Sequence, residues 1–308
     1  MGSIEPSSNA FLTQLASKTV IVTGGAGGIG AATANVFNTH GANVVIADIP
    51  AASETAEKLI ASFPHPENAI FIAVDILNWQ QMLSLFRSTI DRFGAIDTVV
   101  ANAGIMEKTE TLDINTTDAE GNLLESTGAF GVIDVNVKGT LNTLRLAMHH
   151  MKSSTNSTRE HKSIVLVAST SGYFGGTGVS AYVSSKHAII GLLRGSHVSA
   201  QKHGITLTGV APFFTTTNIT AKAGVRWQAD GLKPNTTDDV GLAIAQSSIE
   251  GVSGSCTLVA GPHRKEMEAS RTGVMSEWLG HDVYAFFQNA LKIISGSGGY
   301  NLPSNSAS

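Results

Sequence analysis

Cysteine occurs once in this chain, at position 256, so no disulfide can form within it. The expected setting is therefore reducing and cytoplasmic, with Cys256 as a small buried strand residue. Charge is also scarce. Asp, Glu, Lys and Arg together make up 14% of the residues, and the formal net charge is −4. No basic surplus exists to attract nucleic acid or an anionic membrane. No apolar run reaches the ~20 residues of a membrane-spanning helix. Met1 to Lys18 lacks a basic segment followed by an apolar one, so no secretory leader is expected. Glycosylation-type sequences begin at Asn115, Asn156, Asn218 and Asn235, and in a cytoplasmic protein they are chance matches.

Hydrophobic residues are plentiful, at 42% of a 308-residue chain, enough for one large core. Short apolar runs alternate with helix-like stretches. Strands are expected at Thr19–Thr23, Asn43–Ala47, Ala69–Val74, Thr98–Ala101, Ile164–Ala168, Thr206–Val210 and, last, Cys256–Val259. Helices are expected at Gly28–His40, Ser53–Phe63 with Ser53 as N-cap, Trp79–Phe93, Phe130–Met151 and Ala181–His203. Apolar strands alternating with helices imply an α/β fold, a doubly wound parallel sheet of Rossmann type. Ligands of such sheets lie at the carboxyl ends of the strands. The expected organisation is an N-terminal extension (1–17), one dinucleotide-binding catalytic domain (18–263) and a C-terminal extension (264–308). Lys152–Lys162 is expected to be a polar loop, and Ser295–Ser308 a disordered tail.

Gly25, Gly27 and Gly30 satisfy G-x-G-x-x-G. Thr23, Gly24, Gly28 and Gly30 satisfy the related T-G-x-x-x-G-x-G. A strand precedes the loop and a helix starts inside it, which is the context a phosphate-binding turn requires. Glycines allow the backbone close to a pyrophosphate, and the helix N-terminus offers amide donors and a positive dipole end. Asp48 closes the second strand. A carboxylate there can accept hydrogen bonds from adenosine ribose hydroxyls and repels the extra phosphate of NADP. Ile49 follows, with no Lys or Arg adjacent, so NAD is expected over NADP.

Tyr182 and Lys186 are four apart on an expected helix and share a face. A phenol titrates near 10, and a neighbouring ammonium would lower that value. Tyr182 could then exchange a proton with an alcohol or ketone. Ser169 follows the strand Ile164–Ala168 and can hold the reacting oxygen. Asn102-Ala103-Gly104 follows the fourth strand, and Asn136 lies in Val135-Asn136-Val137-Lys138-Gly139.

Together these motifs resemble the short-chain dehydrogenase/reductase family over about Lys18 to Gly261. The resemblance implies a catalytic set of Asn136, Ser169, Tyr182 and Lys186. Asn136 would hold a relay water beside Lys186, and Lys186 would also bond the nicotinamide ribose. It implies cofactor contacts from Thr23, Gly24, Gly28, Ile29 and Gly30, and from Asp48 and Ile49 near the adenosine ribose. Asp75 and Ile76 would meet the adenine, while Asn102, Ala103 and Gly104 line the cleft. The family usually carries Pro-Gly after the sixth strand, whereas this chain has Pro212-Phe213. The Phe213 N–H would still face the nicotinamide amide, with Thr215 bonding the carboxamide and Thr217 following.

The resemblance also implies a substrate lid at about 213–231. Phe213, Phe214 and Trp227 give it aromatic surface, and Tyr173 and Phe174 could line the same mouth. A bulky cyclic or aromatic small molecule would suit such a surface. The longer connection after Gly104 and the C-terminal stretch are similar to those of fungal members, near hydroxyaverantin dehydrogenase and, more distantly, hydroxyprostaglandin dehydrogenase. The family commonly forms homodimers and homotetramers through the helices at 130–151 and 181–203. The expected activity is NAD-dependent interconversion of a secondary alcohol and a ketone, with a place in secondary metabolism. Two alternatives stay open at this point. One is a cyclase or isomerase with the dinucleotide as a structural part, and the other is an NAD-binding sensor. A product formed without change in cofactor oxidation state marks the first, and tight NADH binding without turnover marks the second.

Overall fold

The computed structural model describes residues 9–152, 161–217 and 231–296. Expectations for Trp227, for most of the lid and of the polar loop, and for the tail beyond Gly296 lie outside the described residues. Eight strands form one sheet in the order β3-β2-β1-β4-β5-β6-β7-β8. They are β1 (Thr19–Thr23), β2 (Asn43–Asp48), β3 (Ala69–Ala73), β4 (Thr98–Ala101), β5 (Ser163–Val167), β6 (Thr206–Pro212), β7 (Cys256–Ala260) and β8 (His263–Glu266). β1 to β7 pair in parallel, and β8 pairs antiparallel with β7.

Runs such as Thr-Val-Ile-Val-Thr in β1 and Ser-Ile-Val-Leu-Val in β5 are buried throughout. Continuous burial is what a parallel sheet covered on both faces requires. Successive side chains point to opposite faces, so Ile21 joins one core while Val20 and Val22 join the other. The first core takes helices α3 (Trp79–Phe93), α5 (Thr140–Met151) and α6 (Ser180–Lys202) through Phe86, Met151, Ile189 and Leu193. The second takes α1 (Gly28–Thr39), α2 (Ser53–Ala61) and α7 (Thr237–Glu250) through Phe37, Ala56 and Ile244. Burial of each large side chain contributes roughly 1.5–3 kcal/mol.

Helix starts follow local chemistry. The Asn78 side chain accepts from the N–H groups of Gln80 and Gln81 and opens α3. Thr236 and Asp239 form a reciprocal capping box at α7. Ser53, expected as an N-cap, does not cap α2. A 3-10 turn at Pro50–Ala52 precedes the helix, Ala52 takes the cap position, and the Ser53 hydroxyl donates back to Pro50 O at 2.6 Å.

The long helix expected over 130–151 is present, starts earlier at Thr127 and carries a π-turn. It runs through α4 (Thr127–Ile133), the π-turn at Asp134–Gly139, and α5. Gly139 packs close to Ile76: a methyl group there would lie 2.3 Å from Ile76 Cδ1. β7 is not the last strand, because β8 follows it. Its sequence His-Arg-Lys-Glu carries no apolar signal, and its pairing with β7 forms it.

A second compact unit begins at Met267. Within it lie α8 (Met267–Leu279) and α9 (His281–Gly296). The expected boundary at residue 264 falls inside β8, which the sheet retains. Cys256 is fully buried in β7, as expected. No described helix is long and apolar enough to cross a membrane.

Candidate active site

The strand order reverses between β1 and β4, and the crevice of a doubly wound sheet opens there. Two loops meet at that point. Thr23 ends β1, and its hydroxyl accepts from the N–H groups of Asn102 and Ala103 at 3.1 and 3.2 Å. Asn102 Nδ2 donates to the main-chain oxygens of Thr23 and Gly24, at 3.0 Å each. Asn102 thus braces the glycine loop. Gly24 has φ +63° and sits so close that a methyl group there would lie 2.8 Å from Ala103 Cα. At Gly30 a methyl group would lie 2.1 Å from Gly24 O. These two glycines make the turn. Gly27 is different, because no described residue lies within 4 Å of the methyl it lacks, so among the described residues its face is open at the start of α1. Beside it, a methyl group on Gly28 would meet, among the described residues, only Thr217, at 3.6 Å. Ile29 is half-buried and packs on the second core.

Asp48 lies at the end of β2. One carboxylate oxygen accepts from Ala26 N–H at 3.0 Å and the other from Ile49 N–H at 2.8 Å. A carboxylate has about four lone-pair sites, so capacity for ribose hydroxyls is left. Ile49 is exposed. Asp75 follows β3, accepts from Leu77 N–H at 2.9 Å and donates its own N–H to Gln81 at 2.7 Å. Ile76 is buried, and Asn142 donates to its main-chain oxygen at 3.0 Å.

On the other side of the crevice, Ser169 follows β5 and Tyr182 and Lys186 ride on α6. Gly172 lets the turn after Ser169 pack tightly on that helix, since a methyl group there would lie 2.6 Å from Lys186 O. Ser169 Oγ donates to Pro212 O at 3.4 Å and accepts from Ser171 N–H at 3.1 Å, and the hydroxyl lies near enough to the Tyr182 phenol to favour its ionised form. Lys186 Nζ lies 5.6 Å from the centre of the Tyr182 ring and donates to Val167 O at 2.9 Å. A methyl group on Gly104 would lie 3.2 Å from Asn136 Oδ1 and 3.7 Å from Lys186 Nζ, so Asn136 belongs to the same cluster. Asn136 Oδ1 accepts from Ile105 N–H, and its Nδ2 donates to Ile105 O and Ser185 Oγ. Its side chain therefore ties the loop after β4 to α6.

Two expectations need correction. A lysine-lowered phenol was expected, yet the Tyr182 value is raised. Burial is the largest cause, Ser169 acts the other way, and the charge of Glu107 raises it further. Burial also pulls Lys186 down to about 8, and its ammonium is turned to Val167 O rather than to the phenol oxygen. The second correction concerns Phe213. Its N–H, expected to face a carboxamide, donates to Val259 O at 2.8 Å and continues the sheet.

Thr215 is buried, donates to Phe213 O at 3.0 Å, and accepts from Asn235 Nδ2 at 3.2 Å. Asn235 also donates to Val259 O at 2.9 Å and accepts from Gly261 N–H at 2.6 Å. It pins the segment after β6, a role hidden in the sequence by its place in an Asn-Thr-Thr run. Tyr173 and Phe174 lie together after Ser169, with ring centres 6.4 Å apart. Phe214 is half-buried past the end of β6. Glu107 and Ser185 went unnoticed in the sequence, because their partners are set by the fold.

A doubly wound parallel sheet with a glycine turn at its switch point defines a Rossmann-type protein. Sequence comparison narrows the class. The family model for short chain dehydrogenase matches residues 18–226. Short-chain dehydrogenase/reductase prx4 of Penicillium roqueforti is 31% identical over 291 residues, covering 87% of this chain and 82% of that protein. Short-chain dehydrogenase/reductase ascJ of Acremonium egyptiacum is 33% identical, over 76% of this chain and 75% of its own. The crystal structure of gox2181 superposes with a TM-score of 0.67 at 21% identity, covering 82% of this chain and 96% of that one. The chain belongs to the short-chain dehydrogenase/reductase family, a family of oxidoreductases. That membership implies a nicotinamide cofactor.

Proposed function

We propose that the protein is an NAD-dependent dehydrogenase that interconverts a secondary alcohol and a ketone on a bulky, ring-containing metabolite. One observation carries the reading: Ser169, Tyr182 and Lys186 converge beside the crevice, with the Ser169 hydroxyl acting on the phenol and the ammonium 5.6 Å from its ring.

The residues present fit a dinucleotide. Gly27 leaves an open face at the N-terminus of α1, where amide donors and the dipole favour a pyrophosphate. Asp48 ends β2 with acceptor capacity for ribose hydroxyls, and no cation flanks it, which favours NAD over NADP. Nicotinamide, when bound, supplies a ring carbon that takes or returns hydride. The chain handles the proton. Ser169 holds the substrate oxygen. In oxidation Tyr182 takes the hydroxyl proton once its own proton has passed to solvent by way of Lys186, and in reduction it gives its proton to the ketone oxygen and is reprotonated by the same route. Lys186, held to about 8, accepts and releases a proton near physiological pH and links the phenol to solvent. Asn136 anchors the wall along which that relay runs.

Tyr173, Phe174, Phe213 and Phe214 provide aromatic surface for a ring-bearing substrate. The fungal relatives support a secondary-metabolite alcohol. Exposed Phe130, Leu141 and Val198 on α4, α5 and α6 support a homodimer or homotetramer. The test is NADH formation from NAD with cyclic and aromatic secondary alcohols, with NADP and Tyr182→Phe in parallel. The expected result is turnover with NAD, weak with NADP and lost in Tyr182→Phe. Undiminished turnover in that variant overturns the mechanism.

A further inference from the structure

We propose that Glu107 is a positioning residue that clamps the connection after β4 to the start of the Tyr182 helix. The inference rests on the proton-transfer reading of Tyr182 given above.

The first four N–H groups of a helix have no partner within it. In α6 the N-cap residue is Val179, whose side chain cannot accept a hydrogen bond. Glu107 fills that place from far away in sequence. Its Oε1 accepts from Ala181 N–H and its Oε2 from Tyr182 N–H, at 3.0 Å each. Thr111 Oγ1 donates to the same carboxylate at 3.2 Å. A carboxylate at a helix N-terminus is favoured by the dipole as well as by the hydrogen bonds. The clamp therefore sets where Tyr182 stands relative to Ser169, and it joins the substrate-side connection (105–129) to the proton machinery.

The charge of Glu107 also disfavours phenolate, as the smallest of the causes that shift Tyr182. Among the described residues, few other charges lie on the elements around that phenol. Lys186 comes from α6 itself. β5, β6, α4 and the turn at Thr170–Gly172 carry no ionisable side chain. The π-turn offers Asp134 and Lys138, both exposed. Arg194 of α6 lies over the Tyr173 ring, and on α5 Arg145 lies over Trp79 while His149 and His150 pack against each other.

The experiment compares wild type with Glu107→Gln, Glu107→Asp and Tyr182→Phe. One readout is ultraviolet difference titration of tyrosinate, with the Tyr182 step assigned by its absence in Tyr182→Phe. The other is the pH profile of kcat/KM for oxidation of 1-indanol with NAD. In Glu107→Gln both the titration step and the rising limb of the profile move to lower pH. The kcat falls about 10- to 100-fold as the helix start loosens, while the KM for NAD changes little. Glu107→Asp keeps the charge and returns both towards wild type. A kcat in Glu107→Gln equal to that of wild type overturns the inference, and so does a kcat in Glu107→Asp no higher than in Glu107→Gln. Turnover that survives in Tyr182→Phe refutes the proton-transfer reading instead, and so separates the two failures.

Discussion

Lys186 points its ammonium at the main-chain oxygen of Val167, 2.9 Å away, in a site almost closed to solvent. Desolvation there lowers its proton affinity from 10.5 to about 8. The unfolded chain holds that proton more tightly than the folded one, so stability rises with pH between those two values. Below about 8 the full cost of burying the charge is present. It is relieved as pH rises towards 10.5, because folding then buries a neutral amine.

Lys186→Met should therefore be more stable than wild type at pH 7 while losing turnover. The relieved burial is about 3 kcal/mol from the shift. Leaving Val167 O without its donor costs about 1 kcal/mol, so the net gain is about 2 kcal/mol. Urea unfolding at pH 7 and at pH 9.5 checks both size and sign. The gain should shrink at the higher pH, and a constant difference would mean that Lys186 keeps its ordinary proton affinity.

The glycine turn yields a paired prediction. Gly30→Ala puts a methyl group 2.1 Å from Gly24 O, so backbone must move. A loss of about 3 kcal/mol or more is expected, with NADH binding abolished. Gly27→Ala has open space and an extended φ of −149°, so stability should stay within about 0.5 kcal/mol of wild type. NADH binding should still weaken, because the methyl group occupies the face proposed for the pyrophosphate. Fluorescence titration with NADH and thermal melts separate the two. Unchanged binding in Gly27→Ala would move the pyrophosphate elsewhere.

Asp48 serves the loop as well as the cofactor. Asp48→Asn removes the charge that opposes an NADP phosphate, and like-charge juxtaposition costs several kcal/mol. The ratio of Kd values should shift at least about tenfold towards NADPH. An amide nitrogen would also face a backbone donor at Ala26 or Ile49, and this should cost about 1 kcal/mol of stability. Binding titrations with NADH and NADPH test the first part. A ratio that does not move places the adenosine ribose away from Asp48.

Much of this molecule is legible in one dimension because its determinants are local. The buried runs of β1 and β5, the glycines at 24 to 30 and the four-residue spacing of Tyr182 and Lys186 all lie within short windows. Fold class and the central cluster follow from them. What escaped was non-local. Glu107 caps a helix through Ala181, 74 residues away. Asn235 is defined by Val259 and Gly261, not by its neighbours. Gly139 of the π-turn packs against Ile76, a contact that no short window contains. The direction of the Tyr182 shift depends on depth and on which way Lys186 points, and neither is written in a spacing. β8 has no strand signature of its own and forms because β7 offers a free side.

The two margins of the sheet carry different risks. On one side β8 presents His-Arg-Lys-Glu as the outermost strand, short and charged. Another chain that tried to add a strand there would have to strip water from those charges, so this margin resists runaway stacking. On the other side β3 is Ala-Ile-Phe-Ile-Ala, with no charge or proline to discourage a newcomer. α2 packs beside it. If that helix detaches on heating, β3 becomes the templating strand, and self-association on thermal stress should begin at that end of the molecule.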